Sequence, residues 1–348
     1  MKVAIFGSGF ITPELFRGEI EAVLPGCEIS SGLLAWPGEA RRHDDEIQEY
    51  VGSFDAVTEL AAGAEAFVTD LAPVNEYILD RLPDLKFIGV ARGGPVNINV
   101  GAATRHGVIV TNAPGRNGPA VAEYTLALML NLARRIRVGT DTLAAGKWQG
   151  DLYNYQTSAL ELGGRVAGLI GLGQVGSRVA ELLRGFGMTV LVYDPFVDEQ
   201  RVSALGASTT DLDTLLARSD VVSIHARLTP ETRGMIGRRQ LDLMKDDAYL
   251  INTARSPLLD YAALRSVLAQ GKLSGVALDV YDAEPPDLAD PLLASPKVLA
   301  LPHVGGATQE SARRGAAMVA EDLRRYAGQL PLLHCKNPEV LPGATYNK

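Results

Sequence analysis

Short apolar runs rich in valine, isoleucine and leucine alternate with amphipathic stretches along almost the whole chain. That alternation is the pattern of parallel strands joined by crossover helices. In the N-terminal part the runs are KVAIF (2–6), EAFVT (65–69), KFIGV (86–90) and VIVTN (108–112). Thr12 followed by Pro13 predicts a helix over Pro13–Leu24, with the hydroxyl as N-cap and proline at the first helical position. A second series follows: RVAGLIG (165–171), TVLVYD (189–194), VVSIHA (221–226), AYLINTA (248–254), GVALDVY (275–281) and VLALPH (298–303). Several of these are continuously apolar, as strands covered on both faces require. TNAPGRNGP (111–119) is rich in turn residues and precedes a long apolar helix over about residues 120–137. PHVGGAT (302–308) reads as a hinge before a last amphipathic helix over Gln309–Tyr326. The pattern predicts an α/β protein with two doubly wound parallel-sheet domains.

Composition narrows the function classes. The 348 residues carry 33 Lys+Arg against 41 Asp+Glu, a net charge of −8 with no basic tail, which argues against nucleic acid as the main partner. Cys27 and Cys335 are the only cysteines, so neither a disulfide framework nor a multi-cysteine metal site is expected, and a reducing, cytoplasmic setting fits. No metal site is expected. The apolar stretch Val121–Ala133 contains Glu123 and Asn131 and is shorter than the ~20 residues a membrane span needs, so no membrane association is expected.

The strongest local signal is RVAGLIGLGQVGSRVAELLRGFGMTVLVYD (165–194). A strand runs into Gly171-Leu172-Gly173-Gln174-Val175-Gly176, then a helix, then a second strand ending at Asp194. The first glycine permits a tight turn, the second admits a pyrophosphate against the backbone, and the third lets helix and sheet approach closely. A carboxylate at Asp194 suits the adenosine ribose hydroxyls and would repel a 2′-phosphate, so NAD is favoured over NADP. Three polar residues also stand at or just beyond strand ends, where open parallel sheets place ligands: Arg255, Glu284 and His303. Arginine suits a substrate carboxylate, which it binds bidentately. Histidine suits acid/base work at a carbonyl. A carboxylate beside the imidazole favours its charged form and fixes its tautomer.

The segments GLIGLGQVG, VVSIHARLTPETRGMIG, LINTARSPLLD, GVALDVYDAEPP and LPHVGGATQES stand in the same order as in the NAD-dependent D-isomer-specific 2-hydroxyacid dehydrogenases, and the chain resembles that family from about residue 65 to 326. The resemblance implies that Arg255, Glu284 and His303 form the catalytic trio, and that Asp279, His303, His225, Ala226 and the backbone at Thr253 and Ala254 line the cofactor. It implies a Rossmann NAD-binding domain over 113–302 inserted into a flavodoxin-like substrate domain of 1–112 and 303–348. It also implies a homodimer joined through the NAD domains, with the 120–137 helix at the two-fold interface.

The family's first-domain loop usually reads like G-x-G-x-D-N-(V/I)-D, whereas this chain has VARGGPVNIN (90–99), which keeps Gly94, Asn97 and Ile98 without the acids. Arg92, Gly93, Gly94 and Arg255 are the expected substrate-binding positions, with Asn117 and the adjacent Arg116 of NAPGRN added to them. Arg227 stands where the family commonly has proline. The tail after the last helix is shorter than the regulatory domain of some phosphoglycerate dehydrogenases, so control by that route is not expected. The implied activity is interconversion of a D-2-hydroxy acid and its 2-oxo acid, and Arg92 suggests a substrate with a second anionic or polyhydroxy end. The alternative from another class is an NAD(H)-sensing, corepressor-like binding protein without turnover.

Overall fold

The structure is a computed structural model that describes residues 1–38 and 41–341. Its packing separates into two compact units, Met1–Asn117 together with the chain from Ala307 on, and Gly118–Gly306. The breaks fall after Asn117 and Gly306 rather than at 112 and 302. The reason is hydrogen bonding: Ala113 N–H donates to Arg92 O (2.8 Å) and the Asn112 amide to Gly93 O (2.7 Å), tying that turn to the first unit. Val304 and Gly305 N–H donate to Asp279, tying residues after His303 to the second.

The first unit holds a five-stranded parallel sheet in the order β2-β1-β3-β4-β5, built from β1 (Lys2–Gly7), β2 (Glu28–Leu33), β3 (Ala66–Thr69), β4 (Phe87–Val90) and β5 (Ile109–Asn112). This is the flavodoxin-like order. Alternation along β1 serves two cores: Val3 and Ile5 pack with Phe16, Ile20 and Phe87, while Ala4 and Phe6 pack on the other face. The expected first helix spans Pro13–Val23, and Thr12 Oγ1 accepts from Leu15 N–H at 3.2 Å. The last helix, Gln309–Ala327, returns to this sheet at Gly89, where an added Cβ would lie 2.5 Å from Val319. Strand β2 carries no apolar run and was not expected from the pattern; its residues, EISSGL, are half-buried or exposed at the sheet edge.

The second unit holds a seven-stranded parallel sheet, β12-β11-β10-β9-β6-β7-β8. Its strands are β6 (Val166–Ile170), β7 (Thr189–Tyr193), β8 (Ser208–Thr209), β9 (Val221–Ile224), β10 (Tyr249–Asn252), β11 (Gly275–Leu278) and β12 (Val298–Ala300). The two-residue β8 was likewise not expected. Strand order reverses between β6 and β9, the switch point at which doubly wound sheets bind ligands. Gly168 lets the helix Leu212–Arg218 close on β6, since a Cβ there would meet Leu215 and Ser219 at 2.4 Å.

The apolar stretch expected as one helix over 120–137 is two, Gly118–Arg134 and Ile136–Ala144, broken by a left-handed Arg135 (φ 52°). Ala122, Leu128, Met129 and Ala133 of the first pack into the core of their own unit. The exposed apolar surface lies after it instead: Ile136, Leu143, Trp148, Tyr153 and Tyr155 are all exposed, and the second helix buries no residue. Among the described residues no helix is long and apolar enough to cross a membrane.

Candidate active site and dinucleotide cradle

The glycine fingerprint lies at the end of β6 and opens the helix Gln174–Gly185. Gly171 is left-handed (φ +95°), and a Cβ there would meet the Ala226 backbone at 2.7 Å, with His225 C at 2.8 Å. At Gly176 a Cβ would lie 2.2 Å from Gly171 O. Gly173 differs, because a Cβ there would meet nothing within 4 Å. It is the N-cap of the helix that Gln174 and Val175 begin, and no side chain caps that helix. Open space over bare N-terminal amides is what a pyrophosphate requires. Asp194 follows β7 and accepts from Leu172 N–H (2.7 Å, Oδ2) and Phe196 N–H (3.0 Å, Oδ1). Each oxygen keeps a further lone pair for a ribose hydroxyl. Beyond β9, His225 Nε2 lies 3.0 Å from Ser223 Oγ, and burial pushes its pKa down to about 4, so the ring is neutral at neutral pH. These residues fit a dinucleotide.

Near the ends of β10, β11 and β12 stand the other expected residues of this unit. His303 is left-handed (φ 54°), and its Nδ1 lies 2.7 Å from Glu284 Oε2. Glu284 Oε1 accepts from Tyr281 N–H at 3.2 Å, so backbone and imidazole together orient the carboxylate. The Tyr281 hydroxyl bonds Leu301 O (2.8 Å) and Leu278 O (3.1 Å), joining the ends of β11 and β12. With Nδ1 engaged, Nε2 is the nitrogen left for chemistry. Arg255 is exposed, and its guanidinium donates to Ala254 O at 2.7 Å. Its backbone is held by Asn252, whose side chain bonds Arg255 O (3.2 Å) and Ala254 N–H (3.1 Å). Thr253 is buried and its hydroxyl lies 3.0 Å from that of Thr125.

Asp279, expected at the nicotinamide, clamps the turn after His303. Its Oδ1 accepts from Val304 N–H (2.9 Å) and the Tyr124 hydroxyl (3.2 Å), and its Oδ2 from Gly305 N–H (2.8 Å). Burial raises the Asp279 pKa against the pull of the two amides, and burial beside Asp279 raises that of Tyr124, which stays protonated and donates. Tyr124 and Thr125 escaped the sequence reading because they lie inside an apolar helix, far in sequence from their partners.

In the first unit Arg92 follows β4, and it is engaged: Nη1 donates to Glu49 O (3.0 Å) and Nη2 pairs with the Glu49 carboxylate. Gly93 and Gly94 are open, with nothing within 4 Å of an added Cβ, and Asn117 is partly buried. Arg116 is largely buried, its guanidinium over the Phe10 ring, and burial pushes its pKa down to about 10. Nearby Asp70, just past β3, is fully buried and accepts from Ser8 Oγ at 2.5 Å. An acid directly after the apolar run AFVT was the available signal for it. Burial raises the Asp70 pKa to about 6, against the attraction of Ser8, Arg116 and Arg92. A carboxyl raised by folding contributes stability at low pH that is lost as pH rises through its folded value. From the ordinary carboxyl value of 3.8 to about 6 the full loss is about 3 kcal/mol. Urea titrations at pH 4 and pH 7 should show the wild type losing most of this amount, about 2 kcal/mol, relative to Asp70→Asn, which keeps a partner for Ser8. Parallel pH dependences in the two proteins would refute the assignment. Elsewhere, Glu76, Asp80 and His106 gather their side chains, but Arg105 already pairs with Glu76.

A model of the D-isomer specific 2-hydroxyacid dehydrogenase NAD binding domain matches residues 126–305. The chain is 37% identical to a D-3-phosphoglycerate dehydrogenase of Archaeoglobus fulgidus over 298 residues, 85% of this chain and 56% of the relative. It belongs to the D-isomer specific 2-hydroxyacid dehydrogenase family. A glyoxylate reductase of Korarchaeum cryptofilum is 36% identical over 300 residues, 86% of this chain and 88% of that one. The chain spans about half the length of the phosphoglycerate dehydrogenases it matches. Among solved structures, the NAD-complexed D-isomer specific 2-hydroxyacid dehydrogenase of Lactobacillus delbrueckii ssp. bulgaricus has a TM-score of 0.77 at 27% identity, covering 97% of this chain and 100% of that one. Family membership accounts for the NAD-binding unit and for both sheet orders.

Proposed function

We propose that this chain is an NAD-dependent oxidoreductase that interconverts a D-2-hydroxy acid and its 2-oxo acid. The observation that carries the reading is the 2.7 Å contact between His303 Nδ1 and Glu284 Oε2 on a left-handed histidine. The chemistry that a nicotinamide dinucleotide supplies when bound is hydride transfer. In reduction, protonated His303 gives the Nε2 proton to the substrate carbonyl oxygen while Glu284 holds the ring and balances its charge. In oxidation neutral His303 accepts the hydroxyl proton. Arg255 holds the substrate carboxylate, exchanging its bond to Ala254 O for a bidentate one. Asp279 and Tyr124 keep the turn after His303 in place. The candidates on the other unit are Arg92, Gly93, Gly94 and Asn117, and Arg92 supports a substrate with a polyhydroxy or second anionic end. The relatives named for phosphoglycerate and glyoxylate bracket that choice.

The test is a spectrophotometric screen of NADH and NADPH against glyoxylate, hydroxypyruvate and 3-phosphohydroxypyruvate. Turnover should favour NADH through Asp194, and Asp194→Ala should narrow the preference. Equal or better kcat/KM with NADPH in the wild type would refute the role of Asp194. Tight NADH binding with no turnover of any 2-oxo acid would overturn the enzyme and leave a binding protein.

The same reading includes a homodimer, supported by the exposed Ile136, Leu143, Trp148, Tyr153 and Tyr155 on one stretch of the NAD-binding unit. Sedimentation velocity reads it directly, and a monomer at micromolar concentration would exclude it. The cytoplasm is the proposed setting, since Cys27 and Cys335 are both unpaired thiols.

A further inference from the structure

Glu49 lies in a segment bound along the carboxyl end of the first sheet. Gln48 N–H donates to Val96 O (2.8 Å), Val51 N–H to Leu71 O (3.0 Å), and Arg42 and Tyr50 form an antiparallel bridge. Gln48, Val51 and their partners therefore pin the segment to the chain following β3 and β4. Glu49 itself is left-handed (φ 52°), a conformation that a residue with a Cβ adopts at a cost and that persists only where its surroundings hold it. The strained backbone gives one guanidinium both halves of the residue: Arg92 Nη1 takes the Glu49 carbonyl and Nη2 the carboxylate. Arg41 Nη1 stands 3.5 Å from the same carboxylate. The Arg92 side chain is 13% exposed and Glu49 29%, so water screens this pair less than a surface one.

A carboxylate on the guanidinium fork is the arrangement by which arginine holds a substrate carboxylate or phosphate. Here the chain's own acid takes that place. We propose that Glu49 is a specificity-determining residue, an internal counter-ion for Arg92 that selects 2-oxo acids with a neutral, hydroxyl-bearing tail against those with a second anion. The proposal rests on the dehydrogenase reading above and decides between the two substrate ends it names. An anionic tail must displace Glu49 from Arg92 and then lie beside the carboxylate it displaced, where like charges repel. A hydroxyl tail has no such conflict, because it accepts from the guanidinium and donates to Glu49 with the ion pair intact.

Two substrates of one carbon skeleton separate the cases: hydroxypyruvate and 3-phosphohydroxypyruvate, each with NADH. The wild type should prefer hydroxypyruvate. Glu49→Gln keeps the side-chain shape and the backbone carbonyl that Arg92 bonds, and removes the competing charge. The ratio of kcat/KM for the phosphorylated over the unphosphorylated substrate should rise by roughly 10–100-fold, the worth of one charge-assisted hydrogen bond. A wild type that already prefers the phosphorylated substrate overturns the proposal, whatever the variant does. So does an unchanged ratio in a Glu49→Gln protein whose circular dichroism and melting temperature match the wild type. A wild type that reduces neither compound, nor any other 2-oxo acid, refutes the dehydrogenase reading instead. The counter-ion is then tested by binding: with NADH present, 3-phospho-D-glycerate should raise the melting temperature of Glu49→Gln more than that of the wild type, and D-glycerate should not. Equal shifts in both proteins overturn it.

Discussion

Replacing His303 with alanine should lower kcat for reduction of a 2-oxo acid by on the order of 10²–10⁴, the usual contribution of a positioned acid or base. NADH affinity measured by fluorescence should fall far less, because the cradle at Gly171–Gly176 and Asp194 is intact. Glu284→Gln separates proton transfer from geometry. Glutamine still accepts from Tyr281 N–H and still reaches the imidazole, but the negative charge 2.7 Å from the ring is gone. Without that charge nothing balances the ring as it passes its proton, so reductive kcat should fall by roughly 10–100-fold, the worth of one charge-assisted hydrogen bond. A His303→Ala protein that keeps more than a tenth of wild-type kcat would remove the histidine from the chemistry. Wild-type kcat in Glu284→Gln would remove the carboxylate's charge from the reaction.

The second large effect divides two glycines that a motif treats alike. Gly176→Ala places a methyl 2.2 Å from Gly171 O, between backbone and backbone, where neither side has a flexible end to withdraw. The helix Gln174–Gly185 must lift from β6, and the expected loss of stability is about 1–3 kcal/mol or more, with NADH binding lost as a consequence. Gly173→Ala places its methyl in open space. That variant should unfold at the wild-type urea concentration and still bind NADH about 10–100-fold more weakly, because the methyl occupies the approach of the pyrophosphate. Urea titration of the ligand-free proteins beside NADH titration distinguishes them. Wild-type NADH affinity in Gly173→Ala would place the phosphates elsewhere, and wild-type stability in Gly176→Ala would refute the packing role.

Much of this architecture was legible because its signals are local. Each parallel strand except the exposed edge strands β2 and β8 is rich in apolar residues, and each such run can be read without knowing what covers it. The dinucleotide cradle was legible for the same reason. Strand, Gly171, Gly173, Gly176, helix and Asp194 succeed one another within 30 residues, so their relation in space follows from their relation in sequence. His303, Glu284 and Arg255 were legible through their flanking motifs and their places beyond strand ends, though not their contacts.

What only the tertiary structure decided are relations between distant segments and competition for one side chain. The polar edge strand β2 pairs with β1 although nothing in EISSGL is apolar enough to announce it, because edge pairing is satisfied by backbone groups common to all residues. The break at Arg135 turns on a single left-handed residue inside a pattern that reads as continuous helix, and it separates buried core from exposed apolar surface. Asp279 meets Tyr124 across 155 positions, and the acid's bonds to the turn after His303 depend on both. Arg92 shows the difference most plainly. From the sequence it is a cation in a substrate loop; in the fold its guanidinium is taken by Glu49, 43 positions away. Residue type sets what a side chain is able to bind, and the folded chain, by bringing a nearer partner within reach, sets what it has left to offer.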